Sequence, residues 1–155
     1  MSLPVQAENL VKLGLLHQED HSASEIEECL HLADAHLQVA KAGQFDAKVR
    51  YLNAYEAVFQ VATAGLRALD LRPSQKQGSR AQTIQALAWT LEVDAAVMPV
   101  LIQANAARNE TTYRKSALAP LGKQEIDALV NAADTILKAA KKKLLRAGAP
   151  KPKRT

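Results

Sequence analysis

The residues of this chain best suited to chemistry stand together in Arg108-Asn109-Glu110-Thr111-Thr112-Tyr113, followed at once by Arg114 and Lys115. An arginine offers a planar fork of N–H donors that fits phosphate, and it stays charged at physiological pH. Asn109 and Tyr113 are four apart, one turn of a helix, so they fall on the same side and can share a site with the arginine. Such a set suits the binding of a phosphate or the stabilisation of charge on a phosphorane. The same residues also admit a structural reading. Glu110 then pairs with Arg114 at i, i+4 on a solvated surface, and Arg108 snorkels or pairs with an acid such as Glu56.

Other chemistry is poorly supported by spacing. His17 and His21 are four apart, but Gln18 stands where a zinc-protease helix needs its glutamate base. His31 and His36 are five apart, which turns them about 140° from each other on a helix. Cys29, the one cysteine, has no Cys or His at ligand spacing and reads as a small buried thiol. No metal is therefore expected. The 6 glycines are scattered singly, so no phosphate-cradling loop is encoded, and Gly-x-Ser-x-Gly is absent. Trp89, Tyr51 and Tyr55 read as packing residues, and no cofactor is expected.

Helices must position these residues. A short first helix is expected from Glu8 to about His17, weakened by Gly14. The second is marked by two candidate capping boxes, Ser22 with Glu25 and Ser24 with Glu27. It has a buried stripe at Ile26, Leu30, Ala33, Leu37 and Ala40, and Gly43 ends it. The third and longest starts near Asp46, turns Val49, Leu52, Tyr55, Phe59, Ala62, Leu66 and Leu69 inward, and stops before Arg72-Pro73. A polar loop, Arg72–Ser79, leads to a fourth helix capped by Ser79 and running to about Leu91, with Ile84, Leu87, Ala88 and Leu91 inward. Asp94 caps a fifth, with Pro99 in or just past its first turn. Its stripe of Val97, Leu101 and Ala104 continues to Arg108, an arginine where the pattern asks for a core residue. After a connector at Leu118–Gly122 the last helix runs from about Lys123 to Arg146, with Ile126, Leu129, Ala133, Ile136, Ala140 and Leu144 inward. Strand-like alternation is absent. The expected fold class is all-α, an up-and-down bundle of five or six helices. One domain spans residues 1–147, and a basic tail at 148–155 is expected to be disordered.

Composition agrees. With 155 residues, 48% hydrophobic and only 4% aromatic, the chain is long enough for one core and poor in strand formers. Its net charge of +4 is misleading as a sign of a basic surface, because Lys138–Thr155 holds eight Lys/Arg and no acid, while residues 1–137 carry 12 Lys/Arg against 16 Asp/Glu. A single cysteine excludes an intramolecular disulfide. The most apolar stretch, Ala95–Ile102, is too short to span a bilayer, and Met1–Glu8 lacks the pattern of a signal peptide. A cytoplasmic protein with no membrane association is expected.

Three stretches resemble the HEPN domain superfamily (higher eukaryotes and prokaryotes nucleotide-binding), a helical-bundle group that includes toxin ribonucleases and inactive relatives. They are the second helix, Glu25–Gly43; the third, with Arg50-Tyr51-Leu52-Asn53-Ala54-Tyr55-Glu56-Ala57 followed by Ala62, Ala64 and Leu66; and Ala107-Arg108-Asn109 followed by Tyr113. The last is similar to the family's Arg-Asn-x-x-x-His element. The likeness spans roughly residues 8–140. It implies a homodimer that packs its fourth and fifth helices around an interface site. In that site Arg108 is the phosphate and transition-state ligand and Asn109 orients it; the neighbouring charges of Arg114 and Lys115, read from the sequence itself, are expected to add to RNA or nucleotide binding.

The family's histidine is replaced here by Tyr113. A phenol with a pKa near 10 is a poor general base beside an imidazole near 6.5. The resemblance thus implies an RNA- or nucleotide-binding protein, one component of a toxin–antitoxin or defence system, with a nucleotidyltransferase-type protein as an expected partner. A metal-independent endoribonuclease with a degenerate site (Arg108, Asn109, Tyr113), and a structural or protein-interaction bundle without catalysis, are the alternatives.

Overall fold

The computed structural model describes residues 3–113 and 122–145, with backbone alone over 110–113. Arg114, Lys115, most of the expected connector at Leu118–Gly122, and the tail from Arg146 lie outside the described residues. The order is α1 (Val5–Lys12), β1 (Leu16–Gln18), α2 (Ala23–Lys41), α3 (Ala47–Arg67), β2 (Leu71–Pro73), α4 (Ser79–Gln85), α5 (Leu87–Thr90), α6 (Met98–Tyr113) and α7 (Lys123–Ala140), which runs on into a π-helical turn over Lys141–Leu145. The protein is an all-α helical bundle, with one two-stranded antiparallel ribbon among the described residues. Among the described residues no helix is long and apolar enough to cross a membrane.

The second helix begins as one of its two capping boxes predicts. Ser22 is the cap: its Oγ accepts from the Glu25 amide at 3.3 Å, and Glu25 Oε1 accepts from the Ser22 amide at 3.1 Å. Ser24 lies inside the helix. All five expected stripe residues, Ile26, Leu30, Ala33, Leu37 and Ala40, are buried. Asp46 caps α3 by accepting from the Val49 amide at 2.9 Å.

Helix α3 is the axis of the bundle and packs against α2, α4, α5, α6 and α7. It therefore buries Tyr51, Ala54, Ala57, Val58, Val61 and Ala64 besides the expected Tyr55, Ala62 and Leu66. Val49, in the first turn of the helix, and Leu69, two residues past its end, stay exposed. Small residues let those neighbours approach. A Cβ at Gly65 would meet Thr90 Oγ1 at 2.8 Å, so glycine here admits α5 against α3.

Several expectations about the remaining elements are corrected. The first helix stops at Lys12, since Gly14 takes φ +76° and turns the chain out of the helix. The residues expected to continue it form β1, which pairs Leu16 with Pro73, His17 with Arg72 and Gln18 with Leu71. Strand structure is thus present, although each strand is three residues long and too short for visible alternation. The fourth helix breaks at Ala86 into α4 and α5, and Ala88 is exposed. Ser79 is not its cap: it is buried, and its hydroxyl donates to the Leu15 carbonyl at 2.9 Å while Gly78 at φ +92° precedes the helix. Asp94 accepts from the Ala96 amide at 2.9 Å in a turn, and α6 proper begins at Met98, with Pro99 its second residue. In α7 the stripe Ile126, Leu129, Ala133, Ile136 and Ala140 is buried as expected, and Leu144 is half-buried in the π-helical turn.

Candidate functional site

Helix α6 carries Leu101, Ala104 and Ala107 into the core and holds Asn105 buried between them. One turn on, Arg108 is half-buried and Asn109 is exposed. The backbone of Tyr113 ends the helix, and its side chain lies outside the described residues. The structure therefore places Arg108 and Asn109 next to each other on one helix, while the grouping with Tyr113, Arg114 and Lys115 rests on sequence.

Asn105 leads from Arg108 into a polar seam where α6 meets α3 and α4. Arg80 Nη1 donates to the Tyr55 hydroxyl at 2.9 Å, and Tyr55 in turn donates to Asn105 Oδ1 at 2.9 Å. The direction is fixed, because a guanidinium can only donate and the phenol's single proton then goes to the amide oxygen. Arg80 also lies 3.9 Å from the centroid of the Phe59 ring and 5.4 Å from that of Tyr55, so its plane is supported by aromatic faces. Those two rings stack, with centroids 6.5 Å apart. Burial pushes the Tyr55 phenol pKa up, against the opposing pull of the Arg80 and Arg108 charges. Tyr55 is a neutral hydrogen-bonding group near two cations.

Glu56 lies 3.4 Å from Arg80 Nη1. Glu56, expected as a partner of Arg108, thus faces Arg80 of α4. Among the described residues Arg108 has no ion pair or hydrogen bond. The Glu110–Arg114 pair lies outside the described side chains.

A second polar cluster, which spacing did not disclose, surrounds Arg67. This arginine is 1% exposed. Its Nη1 donates to the carbonyls of Glu19 (2.9 Å) and Leu71 (3.1 Å), and its Nη2 to the Asp20 carbonyl (2.6 Å) and Glu25 Oε1 (3.1 Å). Arg72 closes the cluster through Nη2, which is 2.7 Å from both Glu19 Oε2 and Glu25 Oε2. Hydrogen bonds from Arg67, then Arg72, then the Ser22 amide bring the Glu25 pKa down to about 2. Beside it, His21 Nδ1 is 2.8 Å from Asp70 Oδ1, and the hydrogen bonds from His21 hold the Asp70 carboxyl below its ordinary range. The cluster fastens the β-ribbon and the start of α2 to the end of α3. An open groove of about 480 Å³ runs beside it, lined by Glu28, Cys29 and Thr63 as well as the paired charges. No residue of α6 lines it, and its arginines already face carboxylates, so it offers little to an anion.

The remaining candidates settle into ordinary roles. Cys29 is half-buried, and burial raises its thiol pKa. His36 Nδ1 lies 2.9 Å from Asn53 Oδ1. Tyr51 is buried in the core, and Trp89 packs on the smaller cluster formed by Ala7, Leu16, Leu66, Leu71 and Ala86. Among the described residues no group of three or more His, Cys, Asp or Glu could hold a metal ion. In comparisons with known proteins, the chain matches no family model and no curated protein.

Proposed function

We propose that this chain is a HEPN-like protein that binds RNA or a nucleotide through phosphate, with Arg108 as its central ligand. The observation that carries this reading is the position of Arg108. It continues the buried face of α6, one turn beyond Asn105, yet keeps part of its side chain open to solvent beside a hydrogen-bonded polar seam. A half-buried guanidinium is poorly hydrated and geometrically restricted, which strengthens a bidentate contact to a phosphate. Asn109 lies on the exposed side and supplies a neutral donor. Tyr113, Arg114 and Lys115 extend the same end of the helix in sequence.

Binding is favoured over cleavage because Tyr113 stands where the resembled family has histidine, and a phenol is mostly protonated at neutral pH. Assembly as a homodimer through α4, α5 and α6 would bring two such helix ends into one cleft. A role in a toxin–antitoxin or defence system, beside a nucleotidyltransferase-type partner, belongs to the same proposal.

Incubation of purified protein with total RNA, beside Arg108→Ala, tests the reading. The expected result is a shifted but intact RNA with the wild-type protein and no shift with the variant. Cleavage that disappears in the variant would instead establish a ribonuclease. Equal behaviour of the two proteins would leave Arg108 without a role in RNA binding and overturn the proposal.

A further inference from the structure

The seam contains a second arginine that the sequence reading did not single out. Arg80 comes from α4, yet its guanidinium is braced by α3, with Nη1 held by the Tyr55 hydroxyl at 2.9 Å and its plane 3.9 Å from the Phe59 ring centroid. Tyr55 is itself fixed by Asn105, one turn before Arg108 on α6. Arg80 is therefore tied, through a single buried phenol, to the helix that carries Arg108. Arg80 is not enclosed: its side chain is 34% exposed, and none of its other N–H groups has a partner among the described residues. Arginines are usually costly to hold in one geometry, and here bracing has already restricted the rotamers. The acid that faces it, Glu56, is also 29% exposed and sits at 3.4 Å, a long contact for a charged pair.

We infer that Arg80 is the second phosphate ligand of the Arg108 site, and that the Glu56 carboxylate faces one of its terminal nitrogens until a phosphate displaces it. The inference rests on the proposed phosphate-binding reading and sharpens it to a clamp of two guanidiniums with an internal anionic competitor. Two arginines match the charge and the several oxygens of one phosphate better than one does. A carboxylate beside Arg80 raises selectivity, because only an anion that engages both arginines repays its displacement. The ligand chemistry is a phosphoester, which either an RNA chain or a free nucleotide can supply.

Binding of a short fluorescein-labelled single-stranded RNA and of a fluorescent ATP analogue, measured at low salt by anisotropy, tests the clamp. Circular dichroism melts establish that each variant is folded. Arg80→Gln is expected to weaken binding by about tenfold, as for loss of a charged hydrogen bond. Arg80→Lys should recover only part of it, since charge is restored without the fork. Glu56→Gln is expected to tighten binding by about threefold. Glu28→Gln, which removes an equal charge beside the α2–α3 groove, should change neither. Tightening for RNA alone assigns the site to the polymer, and equal tightening for both probes assigns it to the phosphate of a nucleotide; both support the clamp. If Arg108→Ala abolishes binding while Arg80→Gln and Glu56→Gln match the wild type, the clamp is wrong and the Arg108 reading stands. If the wild-type protein binds neither probe, the reading itself fails and takes the clamp with it. Should Arg80→Gln not fold, Glu56→Gln decides by its sign.

Discussion

Two arginines illustrate what a charged side chain on a buried helix face can be for. Arg67 is enclosed, and four acceptors surround its terminal nitrogens, three of them backbone carbonyls. Removing it strands those carbonyls and the Glu25 carboxylate, so Arg67→Met is expected to cost about 3–5 kcal/mol of stability, measured by urea unfolding. Arg108 is half-buried and has no such set among the described residues. Arg108→Ala should therefore change stability by less than about 1 kcal/mol, and a melt as far displaced as that of the Arg67 variant would make Arg108 a structural residue. Arg108 was legible in the sequence because it interrupts a regular stripe of apolar residues at spacings of three and four. Arg67 was not, because its partners are carbonyls of residues 19, 20 and 71, and carbonyls carry no sequence signature. Arg80 was hidden for a related reason: its support comes from Tyr55 and Phe59, which read as plain packing residues.

At the level of elements, the helices with one buried face were readable and those with several were less so. Helix α2 shows a narrow stripe and a capping box, and both formed as expected. Helix α3 is covered on most sides, so a single-stripe reading found only part of its core. Its close approach to α5 turns on Gly65. Gly65→Ala is expected to destabilise by about 1–3 kcal/mol, because the added methyl group would sit against Thr90. An unchanged melting temperature would show that α5 can move aside. The β-ribbon escaped notice because three-residue strands give no period, and it is held by the Arg67 cluster more than by strand propensity.

That attachment depends on pH through Glu25. Its carboxyl titrates near its ordinary value, about 4.5, when unfolded and at about 2 when folded. The folded state therefore holds fewer protons, and the contribution is complete above pH 4.5 and lost as pH falls towards 2. Unfolding of the wild type followed across this range should steepen accordingly. Glu25→Gln should start less stable at neutral pH and decline less on acidification, whereas parallel curves would contradict the assignment.

For the whole molecule, the distribution of charge matters more than its sum. The acidic balance of residues 1–137 argues against a broad basic face, so phosphate binding has to come from a few placed groups. The residues from Lys138 onward can add affinity that depends on salt and ignores sequence. Deleting residues 148–155 is expected to flatten the salt dependence of RNA binding while leaving its dependence on Arg108 intact, as read from titrations at several salt concentrations. The all-α class followed from composition and periodicity. The seam did not, since it joins residues 55, 80 and 105 through contacts between three helices.

The central proposal is that one half-buried arginine, five residues before the end of α6, gives the bundle its phosphate ligand. It is tested most directly by titrating a short fluorescein-labelled single-stranded RNA with the full chain and with Arg108→Ala at low salt. The variant is expected to melt like the wild type and to bind at least about tenfold more weakly. Equal affinity in a folded variant would contradict it.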